Sequence, residues 1–233
     1  MKKIIRVWHG GCGDSLQLST LPKEFAKQGH EVWISKKTPF RNKEIYDLVW
    51  GMNPYVSGIT NEEANCGEIP ETTYVNTEGA FIKNWEKLNG ITPSNDYPEI
   101  YYHPKTTDWK GGIVELSSLS LKYNHSKVLN SVYKIMDGDF DNFKQIVSTN
   151  QTGRIVSSDI GRITVRNIYE LCNYIANCSV FISLSSGPHM LAGALKHIWK
   201  GEQHCVLPTV EYDTMTSRKL FILPNVKYIK ENE

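Results

Sequence analysis

His9-Gly10-Gly11-Cys12-Gly13-Asp14-Ser15 follows directly on the apolar, β-branched run of residues 4–8. A short continuous apolar run suits a strand buried on both faces of a parallel sheet, and glycines at its end suit a tight turn into a helix. Gly10, Gly11 and Gly13 permit backbone conformations closed to other residues, and Asp14 stands where that helix begins. From Leu18 the apolar residues Leu21 and Phe25 continue at helical spacing and Gly29 closes the segment; Pro22 fits only near a first turn or at a kink. Residues 31–35 read as the next strand. Together these pieces form a β-turn-α-β unit of the doubly wound kind.

A second turn of the same type lies near the other end. The buried strand of residues 180–182 runs into Ser185-Ser186-Gly187-Pro188-His189, and a helix opens at Met190. Proline at a first helical position lacks only an N–H that would be unpaired anyway, Ser186 can cap, and Gly187 lets a ligand approach the backbone. The unpaired N–H groups and the helix dipole at such a start attract phosphate. Between the turns, strands are expected at residues 72–75, 99–103, 113–116 and 145–148, and helices at 78–88, 125–136 and 165–178. Residues 38–67 read as irregular or short-strand structure, and residues 205–207 and 226–229 as terminal strands. The turn-rich stretch 104–112 is the best interdomain linker, which divides the chain into α/β domains at 1–109 and 110–233.

With 233 residues, 40% apolar and 22% charged, the chain has the make-up of an ordinary globular protein rather than a disordered one. Lys plus Arg number 26 against 25 Asp plus Glu, so no global field favours nucleic acid or an acidic membrane surface. The five cysteines show neither a CxxC pair nor His partners at zinc spacing, which points to a reducing compartment and away from a disulfide framework or structural metal. The first residues carry too few apolar side chains for a signal-peptide core or a membrane span, so a cytoplasmic location is expected.

Gly13-Asp14-Ser15-Leu16 followed by Thr20-Leu21-Pro22, with Ser186-Gly187-Pro188-His189-Met190-Leu191-Ala192 after an apolar strand, resembles the heptosyltransferase-type glycosyltransferase family. The resemblance is dense in roughly a quarter of the chain, its motifs occur in the family's order, and Ser185 stands where members carry an acid. It implies a GT-B-like α/β fold, with two Rossmann-like domains facing each other across a cleft. It also implies inverting, metal-independent transfer from a nucleotide-sugar donor, a co-substrate rather than a cofactor. By that carry-over Asp14 is the catalytic base, Ser185, Ser186, Gly187 and His189 line the donor diphosphate with Lys122 as a basic neighbour, and Gly11, Gly13 and Ser15 belong to the cleft loop. A hydroxyl on a carbohydrate, on a lipopolysaccharide-type glycan or on a modified nucleic-acid base would accept the sugar.

Other readings of the residues stand beside this one. Asp14 can serve simply as a helix N-cap and His189 as a core histidine. Asp137-Gly138-Asp139, with Asp141 beside it, mimics a metal-binding acid pair but has the flanks of a solvated loop. His9-Gly10-Gly11 with Ser183 to Gly187 has the outline of a serine hydrolase, yet no histidine follows His204, and only Glu202 could orient that ring. A nucleotide or nucleotide-sugar-binding module without turnover would use the same two turns.

Overall fold

Residues 1–68, 81–117, 123–148, 155–209, 212–213 and 222–233 are described in the computed structural model of the chain. They fall into two compact units, one holding the described residues of Met1–His103 and Arg218–Pro224, the other those of Pro104–Ser217 and Asn225–Glu233.

The first unit is built on the strand that precedes the first glycine turn. β1 (Lys2–Arg6) buries Ile4 and Ile5 and pairs in parallel with β2 (Glu31–Ser35) on one side and the two-residue β4 (Cys66–Gly67) on the other; β3 (Val56–Thr60) adds beyond β2. The strand order is β3-β2-β1-β4. The helical segment after β1 is two helices, α1 (Cys12–Gln17) and α2 (Leu21–Lys27), joined by a tight turn in which Leu21 N–H donates to the Leu18 carbonyl. Pro22 falls in the first turn of α2, where its missing N–H leaves no gap.

Residues 38–67 are less irregular than expected. Asn42 caps α3 (Lys43–Tyr46) by accepting the Ile45 N–H at 3.0 Å, and the helical path continues through Asp47–Gly51, burying Leu48, Val49 and Trp50. Conversely, residues 99–103 form no strand, and the Glu99 N–H donates to the Ser19 hydroxyl at 2.8 Å instead of to a neighbouring strand. α4 (Phe81–Leu88) ends at Asn89-Gly90; the strand expected over 72–75 lies outside the described residues.

The second unit is a six-stranded, wholly parallel sheet made of β5 (Gly112–Glu115), β6 (Phe143–Ser148), β7 (Gly161–Val165), β8 (Val180–Leu184), β9 (Glu202–Leu207) and β10 (Val226–Lys230). Its order, β10-β9-β8-β5-β6-β7, is the 3-2-1-4-5-6 order of dinucleotide-binding sheets counted from β5. α5 (His125–Met136) places Val128, Val132 and Met136 on one stripe against Val114, Leu116, Ile182, Leu184 and Val206. Asp137, in the left-handed conformation, ends this helix, and the Asp139 carboxylate accepts from the Asn142 amide, so the acidic run at 137–141 is a helix-terminating turn. α6 (Ile168–Asn177) starts later than expected because Val165 closes β7 and Asn167 caps the helix through the Glu170 N–H at 2.9 Å. α7 (Gly187–Ala194) completes the unit. All five cysteines are free thiols, and no helix among the described residues is long and apolar enough to cross a membrane.

Candidate functional site

In an open parallel sheet the place where strand order reverses leaves a crevice at the carboxyl ends of two neighbouring strands, and ligands bind there. In the first sheet that point lies between β1 and β4. The chain leaving β1 forms the His9 to Asp14 turn, and the chain leaving β4 delivers Glu68.

None of Gly10, Gly11 and Gly13 has a positive φ, and what requires glycine at position 10 is crowding. A Cβ on Gly10 would overlap the Pro39 carbonyl, and the Gly10 carbonyl accepts the Arg41 N–H at 3.0 Å, so the turn is strapped to the loop of residues 38–42. A Cβ on Gly11 would come within 2.5 Å of Asp14 Oδ2, the oxygen that accepts the Gly11 N–H at 3.0 Å.

Asp14 is therefore part of the helix start and closes back on its N-cap. Burial, above all, raises its pKa from the ordinary carboxylate value; the Gly11 N–H opposes this, the Glu68 charge adds to it, and His9 and Arg41 pull it back down. Beside it, burial and the Asp14 charge push the Cys12 thiol up to about 12, which removes it as a nucleophile. Ser15, placed with the cleft loop by the sequence reading, is fully buried, so its side chain belongs to the core.

Glu68 is a candidate residue that the sequence reading missed. Only 5% exposed, it accepts the Trp8 N–H at 2.7 Å, and its own N–H donates to the Arg6 carbonyl at 2.8 Å. Gly67 has φ +91°, and a Cβ there would overlap the Arg6 backbone. Asn89, just past α4, accepts the Gly67 N–H at 2.5 Å and donates to the Trp85 carbonyl at 2.8 Å. A two-residue strand has no periodicity to read, which is why neither β4 nor Glu68 was visible. Trp8 is 42% exposed beside this cluster, with the Arg6 guanidinium 4.5 Å from its ring centre.

The second sheet reverses between β5 and β8, and the Ser185 to His189 turn follows β8 there. Ser186 is the N-cap of α7 by backbone position, but its hydroxyl caps no N–H and instead donates to the Leu184 carbonyl at 3.4 Å; Pro188 occupies the second helical position rather than the first. The Ser185 N–H donates to the Tyr123 hydroxyl at 3.2 Å. First-turn amides of any helix lack an intrahelical acceptor, so Gly187 and His189 present N–H groups at this end, and no acid stands in the first turn to oppose an anion.

His189 itself turns inward. It is 2% exposed, with Nδ1 3.0 Å from the Gln203 amide nitrogen and Nε2 3.2 Å from the Tyr228 hydroxyl, and burial lowers its pKa to about 4. Both ring nitrogens thus have partners within the unit, and only its backbone N–H remains with the turn. Lys122 lies outside the described residues. At the end of β5, Glu115 is 1% exposed and accepts the Ser117 hydroxyl at 2.5 Å; an acid inside the apolar run Ile113 to Leu116 was the available signal for it. Among the described residues no group of three or more His, Cys, Asp or Glu is arranged to hold a metal ion.

No family model matches the chain, and no curated protein matches it by sequence. Solved structures do match it. The iron-containing dodecameric glycosyltransferase TibC from enterotoxigenic Escherichia coli is 14% identical with a TM-score of 0.63, the match covering 89% of this chain and 60% of TibC. TibC has also been solved as a heptosyltransferase with ADP-D-β-D-heptose. A family 9 glycosyl transferase of Veillonella parvula is 10% identical with a TM-score of 0.60, covering 98% of this chain and 86% of its own. The Escherichia coli heptosyltransferase WaaC with ADP is 8% identical with a TM-score of 0.57, covering 100% and 92%. This chain thus spans 60% of TibC's length, and at these identities the likeness establishes the α/β fold.

Proposed function

We propose that the chain is a glycosyltransferase that moves a sugar from a nucleotide-sugar donor to an acceptor hydroxyl with inversion at the anomeric carbon. One observation carries the reading: each sheet places a loop at the point where its strand order reverses, with a partly buried carboxylate in the first and a helix start without an acid in the second. The fold shared with TibC, WaaC and the family 9 enzyme supports it.

In this reading Asp14 accepts the acceptor's hydroxyl proton as that oxygen forms a bond to the anomeric carbon, and the bond from that carbon to the diphosphate oxygen breaks with its electron pair leaving on the nucleoside diphosphate. The diphosphate gains negative charge in that step. The Gly187 and His189 amides and the α7 dipole would stabilise that gain more than the ground state, which is what accelerates a reaction. A raised proton affinity suits Asp14 to the role, because a general base works best with a pKa moved toward the operating pH. His189 then serves by holding α7 to β9 and β10 through Gln203 and Tyr228. The same amides carry the proposal that transfer needs no metal, for which activity retained in excess chelator is the expected result.

Thermal unfolding with a panel of nucleoside diphosphates and nucleotide-sugars tests the donor half. A ligand bound by the native state raises the melting temperature with its concentration. At least one member of the panel is expected to do so, and a chain indifferent to all of them at millimolar concentration contradicts the reading.

A further inference from the structure

The loop that straps the first turn carries one side chain that the strap does not use. Residues 38–42 are fixed along their length: the Thr38 hydroxyl accepts the Val7 N–H at 3.3 Å, the Phe40 ring meets Tyr46 edge-on with centres 5.5 Å apart, the Arg41 N–H donates to the Gly10 carbonyl, and Asn42 caps α3. The Arg41 backbone is thus held, yet its guanidinium, on the exposed side of the loop, has no hydrogen bond or ion pair among the described residues. It lies against Gly11 instead. A Cβ on Gly11 would stand 3.6 Å from Arg41 Nη1 and 2.5 Å from Asp14 Oδ2, which puts the guanidinium and the carboxylate no more than about 6 Å apart. Opposite charges that close attract, and the Arg41 charge does lower the proton affinity of Asp14, but no ion pair joins them.

We propose that Arg41 and Asp14 together hold the acceptor hydroxyl, its oxygen seated between the guanidinium and the carboxylate. This rests on the reading of Asp14 as the proton acceptor. An oxygen hydrogen-bonded to both groups spans up to about 5.7 Å between them, which is the room left beside Gly11. A group seated there must give a proton to one neighbour and accept one from the other, as a hydroxyl does. An anionic group would face the Asp14 charge, and an ammonium would face that of Arg41. The two contacts also aim the oxygen. One of its four directions is the bond to carbon, one the O–H to Asp14, one a lone pair accepting from Arg41, and the last a lone pair left to attack the anomeric carbon. As that bond forms, the proton passes to Asp14 and the bond to the diphosphate oxygen breaks with its electron pair leaving on the nucleoside diphosphate. Arg41 keeps all its protons, because a guanidinium is not deprotonated in proteins. Glycine at position 11 belongs to the same device, since a side chain there would meet both groups.

Water is the smallest hydroxyl, so the test on the full chain needs no acceptor in hand. In a crystal structure without ligand, fine enough to place waters, an ordered water is expected within hydrogen-bond distance of both the Asp14 carboxylate and the Arg41 guanidinium. A guanidinium paired directly with Asp14, or turned away from Gly11, overturns the proposal. In solution, hydrolysis of a nucleotide-sugar drawn from the thermal panel is followed as release of nucleoside diphosphate. Arg41→Ala keeps the backbone N–H of the strap, and its release rate is expected to fall about 10–100-fold, as for loss of one charge-assisted hydrogen bond. The rise in melting temperature with nucleoside diphosphate stays as in the natural chain. Guanidinium chloride at tens of millimolar is expected to return part of the rate to Arg41→Ala and none to the natural chain, a rescue that a merely structural role would not show. A variant as fast as the natural chain, or a slow one restored neither by guanidinium nor in Arg41→Lys, overturns the proposal. A bridging water in a chain that turns over no nucleotide-sugar, with water or with added sugars as acceptor, would instead leave the bridged site standing and remove the transferase reading.

Discussion

His189 carries a charge-free ring in a place where a proton would be expensive. Its pKa in the folded chain is about 4 against an ordinary 6.5, because burial penalises the imidazolium. The unfolded chain therefore takes up a proton first as pH falls, and stability is lost from about pH 6.5 down to about pH 4, below which both states are protonated. That interval is worth on the order of 3 kcal/mol. Chemical denaturation at pH 7.5 and pH 4.5 is expected to show a smaller loss for His189→Gln than for the natural chain; equal losses would show that the ring is not held neutral. At this scale the sequence was informative about residue type and poor about direction. Asp14 and His189 both stood out, but that the His189 ring faces the core depends on Gln203 and Tyr228, further along the chain, and Glu68 had no local pattern to announce it.

The first turn works as an element only with the loop that crosses it. Gly10 lies so close to the Pro39 carbonyl that a methyl group there must push the two apart, and the Arg41 N–H bond to the Gly10 carbonyl would go with it. Gly10→Ala is expected to destabilise the fold by about 1–3 kcal/mol, as overpacking of a close contact does. Equilibrium unfolding in urea checks this, and an unchanged midpoint would mean that the strap is not tight. Elements with strong periodicity, such as β2 and α5, were legible to their ends from residues 31–35 and 125–136. The α1–α2 break was signalled by Pro22, while β7 was missed because its alternation, Arg162-Ile163-Thr164-Val165, lasts only four residues and Val165 also fits the helical spacing that follows.

On the scale of the whole molecule, two parallel sheets each place a glycine-containing turn at the point where strand order reverses, and that repetition is what the proposed function rests on. That the strands run parallel was implied by the two strand-turn-helix units near residues 4–15 and 180–195, since such units make parallel sheets. Which strand lies beside which was not legible, because pairing across β1 and β4, or β5 and β8, is set by residues tens of positions apart.

The base assignment is tested most directly by steady-state turnover of Asp14→Ala beside the natural chain, using a nucleotide-sugar that the thermal panel identifies and following nucleoside diphosphate release with an acceptor present. The account predicts a fall in turnover of about 10²–10⁴, as for loss of a general base, with donor affinity nearly intact. Turnover equal to that of the natural chain would contradict it.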